Sequence, residues 1–222
     1  MAKSRREAFL NGSRGENLNI RLQTPLSHRD IIGLNLCDLV FFDGFLYTCR
    51  GLFHRRVIDE HTRPPLNLKN LNVMFHTGPV VVGEKGKWRI ISMQPTTSNR
   101  FEKWGAKIVK QLDIRAIIGK GTMGEKTAEA MRKYGCVHLS AVGIAGTLLA
   151  TKATVEAVYW LGKLGPIEAL WILNVKNFGP FFVDIDARGN RYFKEIHEKV
   201  EKQRNAIYNE IGIQKDFIYS TL

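Results

Sequence analysis

Apolar and polar positions follow two rhythms along this chain, one of period two and one of period near 3.6. Residues 39–42 and 45–49 are apolar runs separated by Asp43-Gly44, which predicts a hairpin, since Asp-Gly suits a type I′ turn. Shorter apolar runs at 72–75, 80–82, 88–92, 115–118, 137–142, 155–161, 170–175 and 181–185 predict further strands. Phe101, Trp104, Ile108 and Leu112 recur at helical spacing and predict a helix over 100–112 with one face on a sheet. A second helix is predicted over 123–134, stopped by Gly135, a small-residue helix over 144–150, and a charge-laced amphipathic helix from 193 to 211. Ser27 followed by Asp30 predicts a capping box opening a short helix, and residues 51–60 also suit a helix. Hairpins early and alternating strands and helices later imply a layered α/β domain with both parallel and antiparallel pairing. The body runs over 23–192, after a polar N-terminal arm (1–22) and before a C-terminal helix and tail (193–222).

Composition narrows this picture. The 222 residues carry 33 Lys and Arg against 21 Asp and Glu, a net charge of +12. That invites a nucleic-acid reading, yet the basic residues are spread among acids, with neither a recognition helix nor an RNP-type aromatic motif. A basic enzyme for a dicarboxylate or phosphate, or a basic subunit docking on an acidic partner, explains the charge equally well. No apolar run approaches a membrane span, and the N-terminus lacks the apolar core of a secretory signal. Cys37, Cys49 and Cys136 have neither disulfide-framework nor metal-ligand spacing, which fits a reducing cytoplasm, and the six histidines form no helical H-x-x-x-H pair, so no metal ligands are assigned.

The sharpest local feature is Ile118-Gly119-Lys120-Gly121-Thr122-Met123-Gly124, a lone lysine in a glycine turn between a predicted strand and helix. Such a junction aims free backbone N–H groups at one point and favours an anion. A second polar junction, Pro95-Thr96-Thr97-Ser98-Asn99-Arg100, lies upstream, so a small anionic ligand is indicated. The loop matches G-x-G-x-x-G literally, but the next strand ends without the acidic residue that a dinucleotide ribose needs. A Walker lysine is excluded, since position 114 is isoleucine and no Ser or Thr follows Lys120.

Taken in order, Thr24-Pro-Leu-Ser27, Tyr47-Thr-Cys-Arg50, His76-Thr-Gly-Pro79, Gln94-Pro-Thr-Thr-Ser-Asn-Arg100, Ile118-Gly-Lys-Gly121, Glu168-Ala-Leu-Trp171, Phe178-Gly-Pro180 and Ile185-Asp-Ala-Arg-Gly-Asn190 resemble one family. It is the β subunit, or C-terminal domain, of the class I fumarate hydratases and L-tartrate dehydratases. The resemblance implies a swivelling β/β/α domain facing a larger α subunit, which binds a 4Fe–4S cluster through its own cysteines, in a higher hetero-oligomer. It implies reversible hydration of fumarate to (S)-malate, with L-tartrate or a related hydroxy-dicarboxylate as the alternative substrate; a non-catalytic anion- or nucleic-acid-binding module is the remote alternative. Carried over by motif, Thr96 stands where the catalytic base is placed, with Lys120 acting on it, and Arg50, Arg100 and Lys120 meet the substrate carboxylates. Gly51 replaces the family's usual Asp after the hairpin arginine, Thr77 its usual Ala, and Thr122 is inserted in Gly-Lys-Gly-Gly-Met. Tyr47–Arg50 with His54-Arg55-Arg56 leans toward the tartrate pattern, whereas Leu164–Trp171 leans toward fumarase.

Overall fold

Strands buried on both faces organise the molecule. In β4 (Val73–His76) Val73 and Phe75 enter one apolar cluster and Met74 the other; in β7 (Ala116–Gly119) Ala116 and Ile118 divide from Ile117 in the same way. That two-sided burial is why these strands read as unbroken apolar runs rather than as alternation. The computed structural model describes residues 6–9, 19–84, 87–141, 143 and 146–213. Expectations for 1–5, 10–18 and 214–222 therefore lie outside the described residues.

The chain runs β1 (Arg6–Phe9), β2 (Asn19–Gln23), α1 (His28–Ile32), β3 (Leu39–Cys49) and α2 (Gly51–His54), the last continuing into a π-helical turn, Arg55–Asp59. After β4 come β5 (Val80–Glu84), β6 (Lys87–Ser92), a 3-10 turn (Ser98–Phe101), α3 (Glu102–Leu112), β7, α4 (Glu125–Tyr134) and β8 (Val137–Ala141). Then follow α5 (Gly146–Ala150), β9 (Ala153–Tyr159), α6 (Leu161–Leu164), β10 (Leu170–Ile185) and α7 (Tyr192–Glu210). Eight strands form one sheet in the order β1-β2-β3-β4-β7-β8-β10-β9, and β3 also pairs with β10, so that β3, β4, β7, β8 and β10 close into a ring. Pairing is parallel from β2 through β8 and antiparallel at β1, β9 and β10, so the fold is mixed α/β with both kinds of ladder. One core, with Phe42, Phe178, Phe181 and Trp171, also takes in Ile90 and Leu149 from the β5–β6 hairpin and α5. The other lies under α3, α4 and the π-helical turn. Among the described residues, no helix is long and apolar enough to cross a membrane.

The predicted hairpin at Asp43-Gly44 is not formed: β3 runs through it as one 11-residue strand. Gly44 takes φ +102°, and a Cβ there would meet Thr24 Oγ1 at 2.5 Å. Asp43 Oδ1 accepts the Asn177 N–H at 2.6 Å, opposite a register shift in β10 between Val175 and Phe178. Asp-Gly thus serves an irregularity inside paired strands, where positive φ and a free carboxylate are as useful as in a turn. The runs at 170–175 and 181–185 are likewise one 16-residue strand. The polar lead-in holds sheet strands too, since Ile20 and Leu22 of β2 are buried beside β3. The capping box is present, with Ser27 as N-cap and Asp30 returning a bond to the Ser27 N–H at 2.7 Å.

Candidate functional site

Register places the sequence-predicted residues along one edge. Cys49 pairs with His76, Phe75 with Ile118, and Gly119 with Ser140, so β3, β4, β7 and β8 end together and feed into Arg50, Thr77, Lys120 and the chain after Ala141. Ligands of parallel α/β sheets sit at this carboxyl edge. Residues 95–100 lie across it, because Pro95 bridges to Thr77 and Thr97 to Lys120. Thr96 N–H donates to His76 O at 2.7 Å, Lys120 N–H to Thr96 O at 3.1 Å, and Ser98 N–H to Lys120 O at 3.0 Å. The backbones of Thr96 and Lys120 are thereby stitched together, with Arg100 at the start of the helix that follows. Lys120 and Arg100 are exposed, and Arg50 is partly covered.

Two features of this edge differ from expectation. The N-terminus of α4 is already occupied by a carboxylate: Glu102 accepts Gly124 N–H at 2.6 Å, Thr127 N–H at 3.2 Å and the Thr127 hydroxyl at 2.7 Å. Glu102 thus supplies the anion that this helix end favours, and the Gly124 and Thr127 amides are already engaged. Arg50 is not a bare cation either. Its Nε lies 3.2 Å from Glu168 Oε1, while Glu168 Oε2 accepts the Leu52 N–H at 2.9 Å. Glu168 thus ties the Arg50 side chain, by an ion pair, to the first turn of α2. Gly78 lets this happen, since a Cβ there would stand 2.4 Å from Ile167 O and 3.1 Å from the Arg50 stem.

Beneath the edge runs a polar chain that spacing along the sequence did not reveal. Ser98 turns inward, and Thr97 occupies the cap position of the 3-10 turn without a side-chain bond. Ser98 Oγ lies 2.9 Å from His76 Nδ1 and 2.8 Å from His138 Nε2, and His138 Nδ1 lies 2.5 Å from Asp184 Oδ1. All four side chains are buried. The signal was a polar residue inside each of two apolar strands, His138 in β8 and Asp184 in β10, which meet only once those strands pair.

His54 stands beside this chain, its ring stacked on Trp104 and close to His76 and Phe101. Burial lowers its pKa to about 3. Burial, then the neighbouring His54 and His138, push His76 well below the ordinary imidazole value. Cys49, His54 and His76 offer ligand atoms within 4.8 Å of one another. Burial drives the Cys49 thiol well above its ordinary value, which disfavours the thiolate a metal needs, and a tetrahedral site would require a fourth donor. Cys136 is likewise buried, with its thiol pushed up by burial, and Cys37 is only half-buried. These thiols do not fit an iron–sulfur cluster, which wants several low-pKa cysteines converging on one point.

Comparison with known proteins adds to this geometry. The family model described as "Fumarase C-terminus" matches residues 2–196. The chain is 35% identical over 191 residues to the "L(+)-tartrate dehydratase subunit beta" of Escherichia coli (strain K12), covering 86% of this chain and 94% of that protein. A Methanocaldococcus jannaschii protein named "Putative L(+)-tartrate dehydratase subunit beta" is 34% identical over 186 residues, covering 82% of this chain and 95% of that one. A Geobacillus stearothermophilus protein named "Putative fumarate hydratase class I" is 37% identical over 199 residues, which are 88% of this chain but 37% of that relative. With that match running across the sheet, the carboxyl edge and the buried polar chain alike, this chain belongs to the Fumarase C-terminus family.

Proposed function

We propose that the chain is the β subunit of a two-subunit hydro-lyase that dehydrates a hydroxy-dicarboxylate, with L-tartrate the preferred substrate and malate/fumarate the second reading. The observation that carries it is the carboxyl edge on which Arg50, Thr96, Arg100 and Lys120 follow the ends of paired strands and the segment laid across them. Sequence identity does not separate the two substrates, at 35% and 37%. The tartrate reading is supported by subunit-sized relatives that align over nearly their whole length.

In this reading the domain is the swivelling β/β/α unit and faces the α subunit, to which the iron–sulfur cluster implied by the resemblance belongs. This chain's part is to bind and orient. Burying two carboxylates is costly unless cations and donors meet them. The planar guanidinium of Arg50, pre-oriented by Glu168, and that of Arg100 suit bidentate grip of a carboxylate. Loss of the proton alpha to a carboxylate concentrates negative charge, and the ammonium of Lys120 is the group this reading assigns to stabilise it. Thr96 is the candidate acceptor of the proton; its hydroxyl needs Lys120 beside it to act as a base near neutral pH.

Lys120→Ala in the assembled α/β enzyme tests the assignment. The lysine is exposed, so the fold should survive, and loss of one charge-assisted contact in a closed site should cost about 2.7–4 kcal/mol, or 10²–10³ in kcat/KM. Near-normal turnover would remove Lys120 from the site.

A further inference from the structure

We propose that Ser98, His138 and Asp184 form a buried positioning relay that pins the Thr96–Ser98 segment to the Gly119–Lys120 turn. The inference rests on the dehydratase reading for its kinetic consequence, but its geometry stands by itself.

The spacing Ser98 Oγ to His138 Nε2 (2.8 Å) and His138 Nδ1 to Asp184 Oδ1 (2.5 Å) is that of a Ser-His-Asp nucleophile. A nucleophile is not what it makes. Ser98 and His138 are fully buried, and the hydroxyl is shared with a second imidazole, His76, at 2.9 Å. Nothing outside the core can reach that oxygen. Its neighbour is Gly119, where a Cβ would fall 1.8 Å from Ser98 Oγ and 3.4 Å from His138 Nε2. The hydroxyl therefore fills the space a side chain would take at the turn's first glycine. On the same segment Ser98 N–H donates to Lys120 O and Lys120 N–H to Thr96 O. One side chain and two backbone bonds thus fasten the candidate base to the candidate cation.

The donors and acceptors fix the direction of the chain. A carboxylate only accepts, so His138 Nδ1–H donates to Asp184. With one ring proton on His138, placed at Nδ1, Nε2 accepts the Ser98 hydroxyl, and Ser98 Oγ in turn accepts from His76 Nδ1–H. That leaves His76 Nε2 as a bare lone pair, consistent with its having no hydrogen-bond partner. In the reverse direction His76 would carry a buried N–H without an acceptor, a costly arrangement. Asp184 therefore orients the hydroxyl from two residues away, across the bulge where β10 shifts register against β8.

Asp184→Asn tests this, because it keeps size but supplies a donor toward His138. On the full chain, the ¹⁵N shifts of the His138 ring should switch from the Nδ1–H to the Nε2–H tautomer. The Ser98 and Lys120 amides should exchange roughly tenfold faster or more, the worth of one lost hydrogen bond. In the α/β enzyme kcat for dehydration should fall roughly tenfold or more with KM changed by less than about threefold. Ser98→Ala is the second variant, should Asp184→Asn not fold: it should give the same faster Lys120 exchange while His138 keeps its Nδ1–H. A His138 tautomer unmoved by Asp184→Asn, or unchanged exchange at Lys120 in Ser98→Ala, overturns the relay. If the wild-type complex dehydrates no hydroxy-dicarboxylate, the functional reading fails while the ring and exchange measurements still decide the relay.

Discussion

Thr96 is the residue proposed for the least conventional task, since a hydroxyl is a weak base unless its surroundings change that. Its amide is held to His76 O and its carbonyl to Lys120 N–H, so the side chain projects from a backbone fixed on both sides. Thr96→Ser should keep most activity, whereas Thr96→Val, which preserves shape without donor or acceptor, should lose roughly 10²–10³ in kcat. A well-tolerated valine would make Thr96 a wall of the pocket only. His54 and His76 offer a different test, through stability. Their pKa values are depressed in the fold, to about 3 for His54, so above pH 6.5 both are neutral in folded and unfolded chains alike. As pH falls below 6.5 the unfolded chain binds protons that the core refuses, and stability declines toward pH 3 by about 1.4 kcal/mol per pH unit for each histidine. Urea unfolding at pH 7, 6 and 5 should show that decline, with His54→Leu shallower by one histidine's share. Parallel curves for the two proteins would mean that His54 titrates normally in the fold.

Elements were legible where one local pattern was enough. The capping box at Ser27 and Asp30, the helix bearing Trp104 and Ile108, and the glycine stop at Gly135, with φ +70°, all rest on neighbours within a few residues. The hairpin at Asp43-Gly44 misled because two physical demands share one signal. Positive φ is needed both at a reversal and at a bulge, and only the partner strand, 134 residues away at Asn177, decides between them. Gly44→Ala should accordingly destabilise the fold by about 2–3 kcal/mol, since it adds strain at φ +102° to a Cβ 2.5 Å from Thr24 Oγ1. Urea denaturation would show it as a shifted midpoint, and a change under about 0.5 kcal/mol would indicate that the bulge relaxes freely. The site divided in the same way. Lys120 and the Thr96–Arg100 segment stood out as polar junctions and Arg50 through the family resemblance, whereas the partners that Glu102, Glu168, His138 and Asp184 take are recognisable only after elements distant in sequence come together.

For the molecule as a whole, Arg50, Thr96, Arg100 and Lys120 lie along one edge of the sheet. A groove of about 690 Å³ beside Arg63, Pro64 and Leu68 shares none of the residues of this edge. In the proposed reading, a row of cations above a buried polar chain suits a surface that becomes a site when a second protein closes over it, and closure is what makes such charges effective. In the proposed reading, discrimination between tartrate and malate turns on one hydroxyl, which a site with hydrogen-bonding groups reads strongly and an apolar wall reads poorly. The most direct measurement is dehydration of L-tartrate and of (S)-malate by this chain co-expressed with its α subunit under anaerobic conditions, beside the chain alone. The account predicts an inert isolated chain and a complex whose kcat/KM for L-tartrate exceeds that for malate by roughly 10² or more. A complex that dehydrates malate as fast as tartrate, or full activity from this chain by itself, would contradict it.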